Sequence, residues 1–144
     1  MISSFYNQAA SIFYKPIKPT EPVVCDPVAG LDDDFDAVSY MGTWYEIYHT
    51  KNQHFVSDDA KCTDALYSDL DASTGKFTVF NSNKGNDYGE REGVTGTGWC
   101  PEDQLEGQCF VKFYGGWPED PNYLIVDTDY ETYAMIYSCD PNDM

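Results

Sequence analysis

Between residues 42 and 139 the chain breaks into seven short runs rich in Val, Ile, Tyr and Phe. They are GTWYEIYH, CTDALYSDL, GKFTVFNSN, GVTGTGW, GQCFVKFYG, NYLIVDTDY and TYAMIYSC, and Gly, Asn, Asp or Pro punctuates the boundaries. This is the composition and spacing of β-strands, and no helical period of useful length competes with it. Seven strands joined by short turns predict an up-and-down antiparallel meander. Such a sheet must manage its two edges, and closure into a barrel is the simplest way. A barrel of about eight strands leaves an interior just wide enough for one small ligand.

The rest of the chain frames that meander. Its 144 residues suffice for one domain with a single core. Residues 1–31 contain KPIKPTEP and no clear period, so an extended N-terminal arm is expected there, with the barrel over 32–144. The run Asp32 to Asp36 reads as a solvated turn, because it lacks the ligand spacing of a calcium loop. DASTGK, Asp71 to Lys76, begins like an EF-hand, but Thr74 stands where the loop needs glycine and Phe80 where it needs glutamate. It reads as a turn between strands.

Charge excludes several functions. Eight Lys+Arg against 25 Asp+Glu give a net charge of -17. Nucleic-acid binding needs clustered cations, and an anionic membrane surface would repel this chain. No apolar run is long enough for a transmembrane helix. The first residues, MISSFYNQAASIFYK, have neither the basic start nor the apolar stretch of a signal peptide. Cys25, Cys62, Cys100, Cys109 and Cys139 form no C-x-x-C pair, and His49 and His54 are the only histidines, so no metal site is expected. Dispersed cysteines in a small acidic chain point to disulfides and a secreted or lumenal setting. The odd count leaves at least one thiol free or paired outside the chain. Aromatic content of 16% demands either large burial or a ligand to stack on.

Two motifs add a resemblance. Gly42 and Trp44 form G-x-W at the start of the first strand, and Thr128, Asp129 and Tyr130 form T-D-Y between the sixth and seventh. With FDAVSYMGTWYE around the first and YSC after the second, the chain resembles the lipocalins, closest to the retinol-binding protein and apolipoprotein D branch, over about Cys25 to Cys139. The resemblance implies an all-β, up-and-down antiparallel lipocalin-type barrel. It also implies that Trp44 plugs the closed end, with Gly42, Glu46 and Tyr48 on the same inward face. The family's third motif, an arginine on an eighth strand, has no counterpart. The sequence ends at CDPNDM after strand seven, and the single arginine, Arg91, falls in the turn between strands three and four. The expectation is a barrel lacking its eighth strand and C-terminal helix, with the arm, a partner chain or a further segment covering the open edge beside strand seven.

The resemblance also implies a disulfide between Cys25 and Cys139. Cys100 and Cys109 flank the turn between strands four and five and suit a hairpin staple. Cys62 is then left over, and it is the only thiol that could carry a covalent bilin. Strands placed by resemblance and read with period two give the expected ligand contacts. These are Phe55 in the first long loop, Tyr67 on strand two, Phe77 and Val79 on strand three, and Val94 on strand four. Val111 and Phe113 on strand five, Tyr123 and Ile125 on strand six, and Ile136 on strand seven complete the set.

Binding, sequestration or transport of a small hydrophobic molecule follows as the leading function: a sterol, retinoid, fatty acid, carotenoid or bilin, with no cofactor required. The alternative is an interaction subunit of a larger assembly, docking through the barrel's open edge and the N-terminal arm. No Ser-His-acid or Cys-His constellation is visible, so an enzyme is not expected.

Overall fold

In a computed structural model the described residues are 28–31, 34–49, 60–84, 91–101 and 107–138. The arm up to residue 27, Phe55, His54 and the expected Cys25–Cys139 bridge lie outside them. The described chain is one helical turn, α1 (Ala37–Tyr40), followed by seven strands: β1 (Gly42–Tyr45), β2 (Lys61–Asp71), β3 (Lys76–Lys84), β4 (Arg91–Trp99), β5 (Gln108–Lys112), β6 (Tyr123–Thr128) and β7 (Ala134–Tyr137). Each strand pairs antiparallel with the next, in the order β1 to β7. The result is a curled half-barrel with β1 and β7 at its edges. The described residues supply no strand between those two edges.

Register decides which side chains share a face, because directly opposed residues point the same way. Gly42 opposes Tyr67, Tyr67 opposes Val79, and Val79 opposes Gly96. One layer along, Trp44 opposes Ala65, Ala65 opposes Asn81, and Asn81 opposes Val94. Phe77, Gly98 and Val111 form a further layer. The concave face collects the buried cluster of Tyr40, Tyr67, Phe77, Val79, Cys109 and Ile125.

Several boundaries differ from the sequence reading, each for a local reason. Asp36 nucleates α1, which strand periodicity could not foresee. Its carboxylate accepts from the backbone N–H of Val38 (3.0 Å) and Ser39 (3.1 Å) and from the Ser39 hydroxyl (2.6 Å), an N-cap rather than a cation ligand. β1 ends at Tyr45, so Tyr48, 86% exposed, does not share the buried floor with Trp44. Arg91 opens β4 instead of sitting in the preceding turn. There it pairs with Asp64 and donates to Ser82 Oγ (2.7 Å), which also donates to Asp64. Phe113 lies one residue beyond β5. In β2 the positive-φ residues Cys62 (53°) and Asp69 (54°) fall where the register slips against β3, as expected of bulges that bend the strand into a curl.

Two interior glycines make room for rings. A Cβ on Gly98 would lie 2.2 Å from the Phe77 ring, and one on Gly96 would lie 2.7 Å from the Phe113 ring and 2.4 Å from the Lys112 carbonyl oxygen. Phe77 and Phe113 therefore reach inward over strand β4 because its side chains are missing there.

Candidate functional site

The closed end of the half-barrel is built where the chain's first and last described elements meet. Gly42 has φ 124°, a conformation side chains rarely adopt, and it carries the chain from α1 into β1. Two positions on, the Trp44 ring stacks on Tyr40 (centroids 5.2 Å apart), and its indole N–H donates to the Tyr40 carbonyl (2.9 Å). Phe35 packs edge-on against Tyr40 (5.1 Å). From the other end of the chain Tyr130 joins Phe35 (6.2 Å), and its hydroxyl accepts from the Asp36 backbone N–H (3.2 Å). The G-x-W and T-D-Y segments thus touch through Phe35, Asp36 and Tyr40.

T-D-Y is itself a turn device. Asp129 accepts from the N–H of Glu131 (3.0 Å), Thr132 (2.7 Å) and Tyr133 (3.0 Å) and from the Thr132 hydroxyl. Those donors, the Thr132 hydroxyl foremost, hold its carboxyl well below the usual carboxylate range. Thr128 Oγ1 donates to the Tyr133 carbonyl (2.7 Å) and accepts from Tyr130 N–H (3.0 Å). Tyr130 takes the positive φ, 63°, that the turn requires.

Above this floor a chain of phenols crosses the interior. The Tyr123 hydroxyl lies 3.0 Å from that of Tyr40 and 2.8 Å from that of Tyr67. β2 and β6 are not neighbours in the sheet, so these hydroxyls span the lumen from one wall to the other. Burial pushes all three phenols above the ordinary tyrosine range and keeps them protonated at neutral pH. The amide oxygen of Asn81, on the same face, is shielded from solvent and has no hydrogen-bond partner.

The expected contact residues separate into three groups. Tyr67, Phe77, Val79 and Ile125 are buried in the core cluster. Val111, Phe113 and Tyr123 pack against it and are partly buried. Val94, beside Asn81, is partly buried, whereas Ile136, opposite Ile125, is 37% exposed at the β7 edge. All nine fall on one face or its continuation, and the tenth, Phe55, lies outside the described residues. Sequence reasoning missed Tyr40 and Asn81. Tyr40 is helical, so strand alternation says nothing of it, and Asn81, two positions after Val79, is placed inward by the same alternation that places Val79.

At the closed end a disulfide joins Cys100 and Cys109 (Cα–Cα 4.3 Å), as expected of a staple between β4 and β5. Cys62 is free and exposed. Among the described residues no helix is long and apolar enough to cross a membrane, and no group of three or more His, Cys, Asp or Glu could hold a metal ion.

The Lipocalin-like domain model matches residues 35–144. The chain is a lipocalin. Relatives of this lipocalin include the Lazarillo protein of Schistocerca americana, 36% identical over 110 residues, which are 74% of this chain and 48% of that protein. Apolipoprotein D of Mus musculus is 31% identical over 113 residues, 78% of this chain and 56% of that protein. The lipocalin thus spans about half the length of the curated relatives it matches. Among solved structures it is similar to a cockroach major allergen, Per a 4, with a TM-score of 0.55 and 27% identity over 84% of this chain and 68% of that one. Lipocalins as a family bind and carry small hydrophobic molecules.

Proposed function

We propose that this lipocalin sequesters or transports a small hydrophobic molecule inside the barrel, in a secreted or lumenal setting. The observation that carries the reading is the concave face. Its register brings Tyr67, Val79, Val94, Val111 and Phe113 to one side of the sheet in a member of this family. Sequestration removes apolar ligand surface from water, at roughly 25 cal/mol per Å². Hydroxyl and amide groups among the rings orient the ligand rather than supply most of the affinity. No cofactor is needed, and a flat pigment would be held by stacking.

Titration with a panel of sterols, retinoids, fatty acids, carotenoids and bilins, followed by tryptophan emission and dye competition, tests the reading. Saturable uptake by at least one class is expected, weakened by Phe113→Ala, which removes a ring contact. Absence of saturable binding across the panel would overturn it.

One observation favours a second reading, an interaction subunit. Both β1 and β7 present an edge that no described strand covers, and an open edge is a template for strand addition. Native mass spectrometry separates the two. A bound small molecule on a monomer supports the first, and a ligand-free complex with a second chain supports the other.

A further inference from the structure

The concave and convex faces of the sheet differ in charge, and the difference bears on what the lumen accepts. The described cations are Lys61, Lys76, Lys84, Arg91 and Lys112. Register places every one on the convex face. Lys61 opposes Lys84, which opposes Arg91; Lys76 opposes Trp99; and Lys112 opposes Thr97. Three of the five are also engaged there. Lys76 lies over Trp99 (5.8 Å) and Trp117 (6.0 Å), Lys112 over Trp117 (4.7 Å), and Arg91 pairs with Asp64.

The concave face carries the opposite sign. Glu92 opposes Asn83, two residues along β3 from Asn81 and so on the concave side. Glu46 follows two positions after Trp44, partly buried, with its backbone N–H still bonded to the Thr63 carbonyl (3.0 Å). Neutral polar groups share that face: the Asn81 and Asn83 amides and the hydroxyls of Tyr40, Tyr67 and Tyr123. The three phenols hold three protons and share two hydrogen bonds among themselves. They are donors without charge.

We infer that the barrel selects a neutral ligand and rejects the carboxylate of the same skeleton. A carboxylate entering the lumen would lose its hydration, meet no described cation to replace it, and pass Glu46 and Glu92. The net charge of -17 adds a long-range repulsion of the same sign. A hydroxyl or carbonyl pays far less desolvation and finds phenol donors. This narrows the ligand classes from chemistry alone: alcohols, aldehydes, ketones and sterols are accepted, and fatty acids and retinoid acids are disfavoured at neutral pH. The inference rests on the reading of the barrel as a ligand site.

Two matched pairs of probes test it on the full chain: retinol against retinoic acid, and a long-chain fatty alcohol against the fatty acid of equal length. Binding is read by tryptophan quenching and dye displacement. At pH 7 the neutral member of the pair that binds should be favoured at least tenfold. As the pH falls towards the range where carboxyls take up protons, about 4 to 5, the acid's affinity should rise towards the alcohol's, while the alcohol changes little. The probe carboxyl loses its charge in that window, and the lumen tyrosines, raised above their ordinary range by burial, stay neutral throughout. Equal affinity for acid and alcohol at pH 7, or a preference for the acid, overturns the charge selection and leaves the ligand-binding reading standing. If none of the four probes binds at any pH, while a dye or another neutral apolar molecule does, the chosen ligand classes are wrong. If nothing binds at all, the ligand-binding reading falls and the selection with it.

Discussion

Gly98 is the residue on which the closed end of the interior depends. With no side chain of its own it admits the Phe77 ring, and a methyl there would come within 2.2 Å of that ring. Gly98→Ala should therefore destabilise the fold by about 1–3 kcal/mol through overpacking, measurable by urea denaturation with the unfolding slope unchanged. The phenol chain makes a second prediction. Burial raises the folded-state pKa of Tyr40, Tyr67 and Tyr123 above the unfolded value, about 10. Their contribution is therefore whole below that value and is lost as pH rises from it towards the folded-state values. The thermal midpoint should hold up to about pH 9 and fall steeply beyond about pH 10. Tyr123→Phe should lower stability by about 1 kcal/mol at neutral pH and make the alkaline fall shallower. At this scale the sequence was only partly legible. Alternation put Tyr67, Val79 and Ile125 inward because a strand forces that geometry, but the meeting of three hydroxyls depends on curl and on α1, which alternation does not encode.

At the level of elements, the seven strands were readable because each run has its own breaks and its own β-rich composition. What was misjudged lay at the ends. β1 is four residues long rather than eight, and β4 starts two residues earlier because the Arg91–Asp64–Ser82 cluster continues the pairing. The connection between β4 and β5 is closed by Cys100–Cys109, nine positions apart in sequence. Closing a loop of that length constrains the unfolded chain by about 2–3 kcal/mol. Cys100→Ser with Cys109→Ser should lower stability by that amount. The loss should appear equally with Cys62 blocked or free, because Cys62 is unpaired.

Seen as a whole molecule, the architecture consists of local pairings closed by a few distant contacts. Every strand is hydrogen-bonded only to its neighbours in sequence, so each hairpin can zip independently. The contacts that convert this ribbon into an enclosure join residues far apart in the chain: Tyr40 to Tyr123 across 83 positions, and Asp36 to Tyr130 across 94. Such contacts must close a long loop before they contribute, so they form late in folding. Their loss should accelerate unfolding and leave the folding rate nearly unchanged. Tyr130→Phe, which removes the acceptor for the Asp36 N–H, should show this in stopped-flow kinetics, with a stability loss of about 1 kcal/mol carried by the unfolding limb. The lifetime of the closed floor, and with it the time a guest can be retained, is then set by a latch tied with the two ends of the described sheet.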